Sequence, residues 1–111
     1  MKSPITTHIL DTASGRPAAG VEAVLYAEDG SELGRGRTDD DGRIGDLRPA
    51  GSRLEPGVYR LHFAVGSYFE ATGEAAFYPS VDVTFRVVDP AQHYHVPLLL
   101  SPFGYSTYRG S

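Results

Sequence analysis

Apolar residues in this chain recur at alternate positions in short runs, and a glycine or proline interrupts almost every run. Thirteen glycines and eight prolines serve as punctuation. That pattern favours short strands joined by turns over long helices. Ile5 to Asp11 places Ile5, Thr7 and Ile9 on one face and Thr6, His8 and Leu10 on the other, ending in a turn at Ser14-Gly15. Val21 to Glu28 directs Val21, Ala23, Leu25 and Ala27 to a core. The Asp29-Gly30 pair then predicts a hairpin to an antiparallel partner, Leu33 to Thr38. The stretch TDDDGRIGDL reads as a turn followed by a very short strand at Arg43 and Ile44. Val58 to Val65 and Val81 to Val87 alternate clearly. His95 to Leu100 and Tyr105 to Arg109 flank a turn at Ser101 to Gly104.

Ser67 to Ala76 lacks the period of two and contains good helix formers, so the spacing predicts one short helix there, about two turns long. The whole is an all-β chain: a two-sheet antiparallel β-sandwich of seven to eight strands with one short helix, expected as a single domain over residues 1–111.

A net charge of −4, with no cluster of lysine and arginine, argues against nucleic acid as a partner. No cysteine is present, which removes disulfides, thiolate metal sites and a cysteine nucleophile. The opening MKSPITTHIL lacks the apolar run of an export signal, and no apolar stretch approaches the length that spans a bilayer. The expectation is a soluble chain.

The chemistry lies on the faces turned away from the core. In HYHVPLLL, parity sends Val96, Leu98 and Leu100 inward and His93, His95 and Pro97 outward, just as it sends His8 outward from β-strand neighbours Ile5 and Ile9. Imidazoles titrate near working pH while a guanidinium stays charged. Outward histidines with Arg43 at a strand start could therefore form a general base and an anion-orienting group. His62, also outward, reads as a surface histidine. The His93-x-His95 spacing, with His8 as a third nitrogen, could also hold zinc. A metal-free site is preferred because no acidic ligand or supporting carboxylate is visible beside it. The chain has no Gly-x-Ser-x-Gly elbow, which favours water as the nucleophile, and the three aspartates at 39 to 41 do not fit an EF-hand loop.

Four blocks in order, THILDTASGRPAAGV, DGR, HYHVPLLLSP and the terminal YSTYRGS, resemble the transthyretin-like 5-hydroxyisourate hydrolases over nearly the whole chain. The ending Tyr-Arg-Gly-Ser is the specific part, since in that family it marks hydrolases rather than hormone carriers. The resemblance implies opening of the six-membered ring of 5-hydroxyisourate by water, giving 2-oxo-4-hydroxy-4-carboxy-5-ureidoimidazoline, without metal or organic cofactor. It implies catalytic roles for His8, Arg43, His95 and Ser111, and substrate binding by Tyr108, Arg109 and Gly110. It also implies a homotetramer with sites at the dimer–dimer interface, the tail being ordered by a neighbouring subunit. Without a visible Ser-Lys-Leu-type ending a cytoplasmic location is expected, a peroxisome also being compatible, and neither membrane nor nucleic acid is expected as a partner.

The acidic run before Arg43 departs from the commonest family form and would partly neutralise that arginine if it folded toward it. Two other readings compete with the hydrolase. One is a transthyretin-like module that binds a small aromatic ligand without turning it over. The other is a β-sandwich whose outward histidines only form an oligomer interface.

Overall fold

The computed structural model describes residues 3–110. Two sheets pack face to face. The first contains β1 (Ile5–Asp11), β2 (Arg16–Pro17), β5 (Arg43–Ile44), β8 (Tyr94–Ser101) and β9 (Gly104–Thr107). The second runs β4 (Glu32–Arg37), β3 (Glu22–Ala27), β6 (Gly57–Phe63), β7 (Val81–Val87). Alternation is strictest in β1, which buries Ile5, Thr7, Ile9 and Asp11 and leaves the residues between them partly exposed. Ile5, Ile9, Leu25, Leu61, Phe63, Leu98 and Leu100 meet between the sheets with essentially no exposure. Each contributes about 1.5–3 kcal/mol through its removal from water.

The expected β3–β4 hairpin forms, with Glu22 opposite Arg37 and Ala23 opposite Gly36. Three details depart from the sequence reading. The turn at Ser14-Gly15 closes a tight hairpin to β2, with Asp11 opposite Arg16, giving nine short strands among the described residues. The sandwich is not wholly antiparallel, because β1 and β8 run parallel over their full length, from Ile5 opposite Tyr94 to Asp11 opposite Leu100. That pairing requires a long crossover, here the entire second sheet. The helix α1 is Val65–Thr72, earlier than expected, because Gly73 takes the left-handed conformation (φ 79°) and its N–H bonds back to the Glu70 and Phe69 carbonyls. A glycine there stops the helix.

The helix is tied to the sheet that carries the histidines. Buried Asp11, at the end of β1, accepts hydrogen bonds from the Ala13 and Ser14 backbones and from the Tyr68 hydroxyl at 2.7 Å. Burial, then the bond to Asp11, pushes the Tyr68 pKa up to about 12, so the phenol remains a donor.

Candidate active site

The parallel pairing of β1 with β8 brings distant histidines to one face. Thr6 lies opposite His95 and His8 opposite Pro97, so the outward side chains of both strands form one patch. On its other edge β1 pairs with β5, where Arg43 stands opposite His8 and Ile44 opposite Thr7.

The DGR segment explains how a two-residue strand can present an arginine so close. Asp39 Oδ1 accepts from the backbone N–H groups of Asp41 and Arg43 at 2.9 and 3.0 Å, closing the turn. Gly42, at φ 75°, then lies flat on β1: its carbonyl accepts from the Ile9 N–H at 2.7 Å, and a Cβ there would collide with the Ile9 carbonyl. Any side chain at that position would lift Arg43 away from His8. The acidic run does not fold toward the guanidinium. Asp39 is spent on the turn, Asp40 and Asp41 are exposed, and among the described residues no carboxylate forms an ion pair with Arg43.

The floor of the patch is a cavity of about 240 Å³ whose walls include Thr6, Arg43, Gly45, His93 and His95. Burial comes first among the causes that hold the His95 pKa below the ordinary imidazole value of 6.5. The charges of Arg43, His93 and His8 add to it, and the Thr6 backbone pulls the other way. The neutral form of His95 is thereby favoured, beside an exposed guanidinium.

The C-terminal segment meets this patch through its backbone. The Gly110 N–H donates to the His95 carbonyl at 2.8 Å, and a Cβ on Gly110 would stand 2.5 Å from His95 Cδ2. Up to this point the tail is bonded to its own chain through that bridge. Tyr108 and Arg109, expected at the substrate, do not join His8 and Arg43. Strand β9 ends at Thr107, so the alternation expected through Arg109 fails there. The Arg109 guanidinium lies 4.5 Å from the Tyr94 ring centroid and donates to Gln92 Oε1 and the His93 carbonyl. Tyr108 is 58% exposed and, with Arg109, borders a second groove of about 330 Å³ between the edges of the two sheets, which His95 also lines together with Val83, Phe85 and Tyr94. Ser111 lies outside the described residues.

His62 sits on the other sheet, paired with Asp82 at 2.8 Å, as a surface histidine would. Sequence reading passed over Thr6, whose hydroxyl stands 2.9 Å from His93 Nε2 and 2.8 Å from His95 Nδ1. The family resemblance likewise gave His93 no catalytic role. The available signal was parity: Thr6 shares its face with His8, and His93 shares its face with His95. Among the described residues no three His, Asp or Glu side chains cluster as a metal would require.

The family model described as the HIUase/Transthyretin family matches residues 5–110. The chain belongs to this family. A Caulobacter vibrioides protein named 5-hydroxyisourate hydrolase is 50% identical over 116 residues, covering 98% of this chain and 99% of that one. The solved structure of Klebsiella pneumoniae 5-hydroxyisourate hydrolase superposes with a TM-score of 0.88 at 36% identity, covering 96% and 97% of the two chains. Sea bream transthyretin in complex with thyroxine superposes equally well, with a TM-score of 0.89 at 32% identity, covering 97% and 95%. Within the HIUase/Transthyretin family the fold therefore does not separate a hydrolase from a carrier, and the side chains on the β1–β8 face must.

Proposed function

We propose that this chain is a single-domain hydrolase of 5-hydroxyisourate that works without a metal or organic cofactor. The observation that carries the reading is that His95, half-buried and disfavoured in its charged form, lines one cavity with Arg43, which has no ion-pair partner among the described residues, while His8 stands opposite Arg43 on the same face. The close relatives named 5-hydroxyisourate hydrolase supply the substrate. His95 takes a proton from water, and the resulting hydroxide adds to a ring carbonyl. Arg43 holds the developing oxyanion, a contribution of about 2.7–4 kcal/mol for a well-placed donor. The ring C–N bond then breaks, and the proton returns to the departing nitrogen, giving 2-oxo-4-hydroxy-4-carboxy-5-ureidoimidazoline. His8, across from Arg43, orients the water.

Assembly is part of the reading. A cavity of about 240 Å³ is smaller than the roughly 300–1,000 Å³ of ligand pockets, so one chain supplies part of a wall. Strands β7 and β9 end their sheets and carry exposed apolar residues beside them, Val88 and Tyr105. Pairing through those edges and stacking of the dimers would build a homotetramer, with sites where dimers meet and with Ser111 and Tyr108 completing the pocket from the tail. A cytoplasmic enzyme fits a chain whose described residues contain no helix long and apolar enough to cross a membrane.

Freshly made 5-hydroxyisourate tests the reading: ultraviolet decay should run well ahead of the spontaneous reaction across about pH 6–8, and should slow toward it when the last four residues are removed. Absence of acceleration by the full chain would leave a non-catalytic carrier of a small aromatic ligand, as sea bream transthyretin carries thyroxine.

The acid limb of kcat/KM gives an independent check. Because the charged form of His95 is disfavoured, its proton binds only at lower pH, and the limb should fall below pH 6.5. Arg43→Gln removes one of the charges opposing that proton. The residual activity of this variant should titrate at higher pH, closer to 6.5; a limb unmoved by the substitution would separate Arg43 from the histidine.

A further inference from the structure

Three hydrogen bonds line up behind His95. The His93 Nδ1 lies 2.9 Å from the Ser3 carbonyl oxygen, the His93 Nε2 lies 2.9 Å from the Thr6 hydroxyl, and that hydroxyl lies 2.8 Å from His95 Nδ1. Their directions follow from what each atom can do. A peptide carbonyl only accepts, so His93 Nδ1 carries hydrogen. The other nitrogen of a neutral imidazole is then bare, and the Thr6 hydroxyl must donate to it. A hydroxyl has one hydrogen, so its oxygen accepts from His95 Nδ1–H. The Nε2 of His95 is left with its lone pair.

We infer that Thr6 and His93 are positioning residues that fix His95 as the Nδ1–H tautomer and thereby make its Nε2 the nitrogen that accepts the proton from water. The inference deepens the hydrolase reading and rests on it for the water. Free histidine prefers hydrogen on Nε2, the wrong nitrogen for this task, so a device that reverses the preference has chemical value. Anchoring one end of the line on a backbone carbonyl gives the chain of bonds a fixed direction. The arrangement has a failure mode as well. If His93 takes a second proton, its Nε2 must donate, the Thr6 hydroxyl turns round to donate to His95 Nδ1, and His95 must carry its hydrogen on Nε2. The titratable and permanently charged groups around this line are His8 from β1, Arg43 from β5 and Arg109 from the C-terminal segment, whose guanidinium reaches the His93 carbonyl at 3.3 Å.

The tautomer can be read directly by long-range proton–nitrogen correlation in full-length protein carrying 15N-labelled histidine, without substrate. Wild type and Thr6→Ser should both show His95 with hydrogen on Nδ1. Thr6→Val, which keeps the shape and removes the hydroxyl, should move His95 toward the Nε2–H form. Its kcat should fall about ten- to a hundredfold with KM changed by less than about threefold, and Thr6→Ser should restore most of the rate. Hydrogen on Nε2 in the wild type would overturn the inference, as would a Thr6→Val protein with unchanged tautomer and unchanged kcat. A wild type with the Nδ1–H form that does not accelerate ring opening would sink the hydrolase reading alone.

Discussion

His95→Asn should lower kcat/KM by about 10²- to 10⁴-fold while the protein keeps its fold and assembly. Asparagine is close in size and polarity, and its amide can still meet the Thr6 hydroxyl. The backbone bonds of residue 95, including the one that its carbonyl accepts from Gly110, do not depend on the side chain. What asparagine cannot do is take a proton near neutral pH. The loss should therefore be chemical. Turnover of 5-hydroxyisourate, measured beside sedimentation of the variant, separates two explanations. A variant that sediments like wild type and turns over slowly assigns His95 to the reaction. A variant that dissociates and loses activity in proportion to dissociation would place His95 in an interface, which is the competing reading of an outward histidine on a β-sandwich.

The faces of β1 and β8 were legible because their core-facing residues alternate, so a period of two sorts them; only Pro97, expected outward, is buried as well, on the side where Gly110 crosses β8. His8 and His95 followed from Ile5, Ile9, Val96 and Leu98. Which strands stand side by side was not legible. Parallel neighbours are joined by long connections that leave no local signal, and β1 meets β8 only after the second sheet is complete. Thr6 escaped notice for a related reason. Threonine is common in strands, and its value here comes from two rings that lie 87 and 89 positions away in sequence. The tail was misread where the ladder ends. Alternation carries directional information only while a strand remains paired, and Tyr108 and Arg109 leave the ladder before Gly110 returns to it through a single bridge to His95.

That bridge gives the other large expected effect. Gly110→Ala should reduce kcat/KM by about a hundredfold while lowering stability by less than about 1 kcal/mol. Gly110 is not needed for a left-handed backbone, since it is absent from the positions with positive φ. It is needed because nothing larger fits: the added Cβ would sit 2.5 Å from His95 Cδ2 and 3.2 Å from both His95 Cγ and Pro97 Cγ. Relief can come in two ways. The ring can rotate away, which breaks its bond to Thr6, or the tail can lift, which breaks the Gly110 N–H bond to the His95 carbonyl. A chain terminus lifts at small cost to the fold, so thermal unfolding should barely change. Catalysis should suffer in either case, because a displacement of about 1 Å at a reacting group costs on the order of a hundredfold in rate. Gly104→Ala is the control, since its methyl would meet only the Ser101 hydroxyl, at 3.6 Å. Full activity in Gly110→Ala would show that the tail can move off His95 without consequence, and would remove the C-terminal segment from the working site.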